Sequence, residues 1–353
     1  MTPLPPLPRA ADSGSRGSVA SGGMGSTRAV VVRRTGGREV LEVDDVDLAD
    51  PGPGEVAVEV AAAGVNFIDV YLREGRYPRP LPFVVGGEGA GTVTELGPGV
   101  DGVAVGDVVA WADGSRGSQA AATVVAAREV VPVPAGLDPG LAAAVLLQGM
   151  TAHYLVTSTH EVRPGQWALV HAAAGGVGQL LVQLVKARGA HVVATVSTAA
   201  KAEIARAHGA DDVIVYAPEP DTDELAARIR AATGGRGVDV AYDGVGRSTF
   251  EASLAATAPR GTIALFGASS GPVPPFDLQR LNGAGSLFVT RPTLAHHTAT
   301  REELTWRASA VLDAVAAGSL HVDVGGRYGL DDVRSAYADL EGRRTTGKLL
   351  VVP

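Results

Sequence analysis

At 353 residues, with 46% hydrophobic and 19% charged side chains, the chain is long enough for two packed domains, and its composition excludes disorder as the main state. Its formal net charge of −8 argues against a broad phosphate-neutralising surface, so nucleic acid is a poor expectation as a partner. The absence of Cys excludes disulfides, thiolate nucleophiles and every zinc site with a Cys ligand.

Residues 1–27 mix Pro, Gly, Ser and Ala without the apolar run of a signal peptide, and a disordered tail outside the fold is expected there. From 28 to 149 short β-like runs (AVVVRR, EVAVEVAAAGV, GAGTVTELG, DVVAWA) are broken by Gly and Pro, which predicts a small irregular β-barrel. The longest apolar stretch, around Leu141 to Val156, carries Gln148 and His153 and falls short of the roughly 20 residues of a membrane span. A soluble, cytoplasmic protein with no membrane contact is therefore expected.

Beyond residue 150 the rhythm becomes strand, Gly-rich turn, helix: WALVHA, GGVGQLLVQLVKARG, AHVVATV, then a helical stretch from Ala199 and DVIVY. Further strands, GVDVAYDGVG, GTIALFG and SLFVT, carry the pattern to 292, so residues 150–292 predict a doubly wound parallel-sheet domain. Helices over 301–317 and 331–340 and a terminal LLVV strand form a segment, 293–353, expected to return to the first domain. The fold class is α/β.

After WALVHA come Ala173, Ala174, Gly175, Gly176, Val177 and Gly178, a variant of the dinucleotide fingerprint. Its glycines let backbone approach a pyrophosphate and let the helix pack closely, with the helix N-terminus facing the anion. In a chain with 46 Gly the string alone is weak, and a plain tight turn competes with it; the flanking strand and helix favour the cofactor. At the end of the second strand, where an NAD site places an acid for the ribose diol, stand Ser197 and Thr198, with Lys201 following. A hydroxyl and an ammonium suit a 2′-phosphate, so the site reads as selective for NADPH. The bland reading, Lys201 as a solvated helix residue, is weighed against a chain with only three Lys, at 186, 201 and 348.

The order of these motifs resembles the medium-chain dehydrogenase/reductase superfamily, and within it the zinc-independent, zeta-crystallin-like quinone oxidoreductases. The resemblance covers 28–353 and rests on GVNFIDVYLREGRYP at 64–78, GGEGAGTV at 86–93, LLQGMTAHYL at 146–155, HAAAGGVGQ at 171–179, YDGVG at 242–246, LFG at 265–267, SLFVTRP at 286–292 and the terminal GKLL. It implies a GroES-like β-barrel domain and a Rossmann domain. Zinc-dependent members place a Cys after G-V and a His in G-H-E; here those positions are Asn66 and Gly87, so no metal is expected.

A quinone is electrophilic enough to accept hydride with hydrogen-bond support alone, which makes NADPH-dependent quinone reduction the implied activity. The resemblance implies Asn66 and Tyr71 beside the nicotinamide and Tyr77 and Arg291 at the substrate mouth. It places Thr151 near the nicotinamide ribose and phosphates, Tyr216 by the adenine, Phe266, Gly267 and Ser269 along the cofactor, Phe288 and Thr290 near the nicotinamide, and Arg343 by the 2′-phosphate. A homodimer, joined through SLFVTRP as an edge strand, is also implied. Two alternatives stay open: an enoyl or alkenal reductase, and an NADPH-binding protein of crystallin or RNA-binding type with little turnover.

Overall fold

The computed structural model describes residues 25–112, 116–217, 220–342 and 345–353. The barrel comprises β1 (Gly25–Val32), β2 (Leu41–Leu48), β3 (Glu55–Val65), α1 (Phe67–Arg73), β4 (Phe83–Val84), β5 (Gly89–Leu96), β6 (Val108–Trp111), β7 (Ala122–Ala126) and β8 (Val131–Pro132). The long strand β3 is its hub, pairing antiparallel with β5 and β7. Along β1, buried Ala29, Val30, Val31 and Val32 fill two faces at once. That is why AVVV reads as a continuous apolar run rather than an alternation.

The first strand starts three residues inside the stretch expected to be a tail. Gly25 and Ser26 pair with Leu48 and Asp47, and the buried Thr27 accepts a hydrogen bond from the Ala122 amide at 2.9 Å. These backbone partners draw the three residues into the sheet; residues 1–24 lie outside the described part.

Helix α2 (Pro139–Tyr154) is capped by Asp138, whose side chain accepts from Leu141 N, with Pro139 in its first turn. It continues through a π turn at Leu155–Thr159, and this 21-residue stretch is long and apolar enough to cross a membrane. The expectation that it would be too short is thus corrected, but 78% of its most apolar 18 residues are buried inside the fold. It packs against β3, β5 and β6 on one side and the nucleotide domain on the other. A helix apolar all round is the form a helix buried on every side takes. The domain boundary expected at 149/150 falls within this helix, because one continuous element serves both cores.

The second domain contains β9 (Trp167–His171), α3 (Gly176–Ala187), β10 (His191–Val196), α4 (Ala199–Ala207), β11 (Asp212–Val215), α5 (Thr222–Ala232), β12 (Val238–Asp243), α6 (Phe250–Ala256), β13 (Thr257–Leu265), α7 (Gln279–Gly283) and β14 (Phe288–Thr290). Its six strands are parallel in the order β11-β10-β9-β12-β13-β14. The order reverses between β9 and β12, which opens a crevice beyond the carboxyl ends of those strands.

The chain then forms α8 (Leu294–His297), α9 (Arg301–Ala316), β15 (Val324–Gly329), α10 (Val333–Glu341) and β16 (Lys348–Val352). Helix α9 lies on α2, where Gly149 lets Val311 approach so closely that a Cβ would collide with it. Strand β16 pairs with β3 and with β15, so the end of the chain completes the barrel sheet.

Candidate functional site

The turn after β9 follows from its small residues. Ala172 takes a positive φ of 51°, Gly175 N donates to Ala172 O at 2.8 Å, and α3 starts at Gly176 with Gly175 as its extended N-cap. A Cβ on Gly178 would run into the Ala172 carbonyl oxygen and lie 2.8 Å from Ala173 Cα, so glycine there sets the helix against the strand. A Cβ on Gly175 would meet only Ala172 O, at 3.2 Å. That open face, beside the first backbone amides of a 12-residue helix, fits a pyrophosphate. Ala174 is buried beneath the turn, Val177 half-buried, and Gln148 of α2 reaches Gly176 from the other side. One turn further along α2, Thr151 is buried and donates to Leu147 O at 2.7 Å.

Ser197 is exposed directly after β10, and Thr198 caps α4 by accepting from Lys201 N at 3.3 Å. Tyr216 N bonds to Val196 O at 3.0 Å, which puts Tyr216 next to Ser197 beyond the carboxyl end of β10. Ser197, Lys201 and Tyr216 therefore occupy neighbouring places. Arg343 lies outside the described residues.

On the far side of the crevice Phe266 and Gly267 follow β13. Phe266 N donates to Asp243 O at 2.9 Å and its ring lies over Gly244, where a Cβ would sit 2.8 Å from Cζ. Ser269 N reaches Gly244 O at 3.3 Å. The fully buried Asp243 holds this pair of loops, because its Oδ1 accepts the amides of Val245 and Gly246, each at 2.9 Å, and the Thr249 hydroxyl. Its Oδ2 takes Ser253 Oγ at 3.0 Å, and Ser253 links onward to His171 and Thr195. Burial pushes His171 below the usual imidazole value, so it sits neutral between two hydroxyls.

The barrel's contribution is α1 and the turn after it. Asn66 is the N-cap of α1, and its backbone N–H is taken by Asp69 Oδ2 at 2.8 Å. One turn on, the Tyr71 ring meets that of Tyr77 edge-on, 5.9 Å between centroids, while the Arg76 guanidinium lies 5.3 Å from the Tyr71 ring centre. Across the crevice, the Ala268 backbone and the Arg291 charge both pull the Tyr71 pKa down. Burial raises its pKa against the pull of Arg76, so the phenol stays a neutral donor. Tyr77 and Arg291 are exposed at the rim, and Thr290 is half-buried at the carboxyl end of β14. Phe288 is not brought to this cluster: it opens β14 opposite Thr262 and is 63% exposed on the sheet edge.

The sequence did not reveal what anchors Asn66. Its Nδ2 donates to Glu88 Oε2 at 2.9 Å, its Oδ1 accepts from Lys348 Nζ at 2.7 Å, and Lys348 also pairs with Glu88. Glu88 Oε1 accepts the Leu147 amide of α2 at 2.6 Å. Glu88 and Lys348 lie inside GGEGAG and GKLL, yet no local pattern shows that strings 260 residues apart meet. Among the described residues no group of three His, Asp or Glu side chains gathers as a metal site, and Gly87 offers no ligand atom. Of the paired histidines, His297 stacks on Tyr154, 4.2 Å between centroids.

Comparison with known proteins agrees with this layout. Residues 52–164 match the alcohol dehydrogenase GroES-like domain, and residues 176–314 match the domain described as zinc-binding dehydrogenase. The chain is 43% identical to a quinone oxidoreductase of Pseudomonas aeruginosa over 319 residues, 90% of this chain and 97% of that protein. It is 39% identical to a 2-haloacrylate reductase of Burkholderia, over 92% of this chain and 98% of that one. A mycobacterial protein solved in complex with NADPH superposes with a TM-score of 0.89 at 48% identity, covering 93% of this chain and all of that one. With a barrel and a nucleotide domain in this order, and Asn66 and Gly87 where the zinc-binding members carry ligands, the chain belongs to the zinc-independent quinone oxidoreductases of the medium-chain dehydrogenase/reductase superfamily.

Proposed function

We propose that this protein reduces small quinones with NADPH, without a catalytic metal, as a soluble cytoplasmic homodimer. The observation that carries the reading is the polar cluster at the crevice: the half-buried Tyr71 ring of α1 packed edge-on against Tyr77, its phenol kept neutral by burial, with Arg291 exposed at the rim. Bound NADPH supplies the hydride. The glycine turn at 175–178 holds the pyrophosphate, Ser197 and Lys201 face the 2′-phosphate, and Thr151, Phe266, Gly267, Ser269 and Thr290 line the path toward the nicotinamide. Tyr71 and Arg291 then hydrogen-bond the quinone oxygen on which charge develops, and a proton drawn through the rim near Tyr77 completes the hydroquinone. The quinone, NADPH and one proton become hydroquinone and NADP+.

The homodimer rests on the open edge of β14, where Phe288 and Val289 are exposed. The P. aeruginosa relative favours the quinone and the mycobacterial complex favours NADPH. The test is steady-state turnover of purified protein with NADPH or NADH against 1,4-benzoquinone, 9,10-phenanthrenequinone, 2-chloroacrylate and a crotonyl thioester, with and without exhaustive chelation. Expected is chelator-resistant quinone turnover preferring NADPH at least tenfold. Faster turnover of 2-chloroacrylate or the thioester transfers the function to double-bond reduction, and chelator-sensitive turnover removes the metal-free reading.

A further inference from the structure

The Asn66 carboxamide is gripped at both ends by groups of opposite kind. An ammonium can only donate and an ionised carboxylate can only accept, so Lys348 at Oδ1 and Glu88 at Nδ2 allow the amide one orientation. All three side chains are buried, Glu88 and Lys348 to 0% and 1% exposure and Asn66 to 5%. The grip joins three parts of the chain that meet only in the finished fold: the N-cap of α1, the residue before β5 and the first residue of β16. Glycine at 64 makes the room, since a Cβ there would overlap Glu88 Oε2 and lie 2.8 Å from Lys348 Cε. A second anchor comes from α2, whose Leu147 amide fixes the other Glu88 oxygen.

Such a pair is a poor device for stability alone, because desolvating two charges offsets most of what their attraction returns. Its geometric effect is specific. With one Nδ2 hydrogen given to Glu88, the other is the donor that Asn66 retains, and the grip sets its direction. We propose that Glu88 and Lys348 are positioning residues, which hold the Asn66 carboxamide so that its remaining N–H is presented to the acceptor during hydride transfer. This rests on the quinone reductase reading above. The charged or titratable groups around the grip are Asp69 of α1, which feels both Lys348 and Glu88, and Tyr337 of α10, bonded to Asp69 at 3.1 Å.

The test replaces both charges by apolar groups of similar size, Glu88→Leu with Lys348→Met, and adds Asn66→Ala in the wild type and in that double variant. Expected is a folded double variant with NADPH affinity within twofold of wild type and quinone kcat reduced at least tenfold. Asn66→Ala should cost tenfold or more in the wild type and less than twofold in the double variant, since the two changes remove one interaction. Wild-type turnover in the double variant, or an equal Asn66→Ala cost in both backgrounds, overturns the proposal.

Should the double variant not fold, Glu88→Gln alone decides. A buried ammonium without its carboxylate loses its proton at lower pH, and the neutral amine then accepts from Asn66, so the amide turns over. An alkaline fall in kcat that the wild type lacks supports the grip, and an unchanged pH profile overturns it. If the wild type passes no hydride to any quinone, the functional reading falls separately. The Asn66 side-chain amide resonances then judge the grip: a shift on Glu88→Gln supports it, and unmoved resonances overturn it.

Discussion

Asp69 is buried where its carboxylate receives the Asn66 amide and the Tyr337 hydroxyl, and burial still lifts it to about 6. Because the folded protein holds this proton more tightly than the unfolded chain, stability falls as pH rises from about 4 to about 6 and is level beyond. Asp69→Asn keeps an acceptor for both donors and removes the titration. The variant should therefore gain on wild type, by on the order of 2–3 kcal/mol, when urea unfolding at pH 4 and pH 7 is compared. An unchanged difference between the two pH values would show that the carboxyl is not held protonated. At the adenosine end, Lys201→Ala should raise the NADPH KM severalfold with kcat unchanged, because the phosphate contact is equal in ground and transition states. Ser197→Asp should do the same while improving NADH, since a carboxylate repels the 2′-phosphate and accepts from the diol. If both variants leave NADPH kinetics unchanged, the 2′-phosphate does not sit there. The places of Ser197, directly after β10, and Lys201, in the first turn of α4, were legible because a fingerprint turn fixes the distance to the end of the next strand. The partners of Asn66 were not, because a contact between Glu88 and Lys348 is written only in the closed barrel.

Short apolar runs bounded by turn residues were legible even where burial abolishes the alternation, as in β1, whereas a long element apolar on every face was not. The βα repeats after 150 followed from the alternation of strand and glycine turn, whereas α2, apolar on all faces, showed neither its length nor its place between two cores. The glycine turn now separates into positions with different duties. Gly178→Ala would press a methyl group against backbone of Ala172 and Ala173 that cannot yield, so α3 must move from the strand. Overpacking of this kind costs about 1–3 kcal/mol, and the thermal midpoint should fall accordingly. Gly175→Ala meets a single oxygen at 3.2 Å and has an extended backbone that Ala adopts freely, so it should lose about 0.5–1 kcal/mol as an N-cap change. Its methyl would occupy the face open to the pyrophosphate, and NADPH affinity should drop at least tenfold. A Gly175→Ala protein that binds NADPH like wild type would move the phosphate site away from this turn.

The whole molecule is closed by its own ends: β16 completes the barrel sheet on β3, and α9 covers α2. Among the described residues the nucleotide sheet has two edges, β11 and β14, and β14 is the one that exposes large apolar side chains in neighbouring positions. Strand β14 is the last of six and only three residues long, pairs among the described residues with β13 alone, and carries Phe288 and Val289 at 63% and 37% exposure, with Leu278 near the start of α7 at 71%. A parallel edge with unpaired amides and apolar side chains is a template for another strand unless charge or a covering element blocks it. The neighbouring Arg291 lies at the rim of the crevice and does not shield the strand's start. A second copy of the same edge would pair across a two-fold axis, residue i to j and j to i, joining two six-stranded sheets into one. Lysines at both positions, Phe288→Lys with Val289→Lys, place like charges against each other at that axis. The wild type should sediment as a dimer and the double variant as a monomer. Phe288 stands opposite Thr262, away from the carboxyl end where the cofactor turn lies, so NADPH affinity of the monomer should stay within severalfold of the dimer. A double variant that remains dimeric would place the subunit contact elsewhere, and a dissociated variant that has lost NADPH binding would tie the site to the assembled edge.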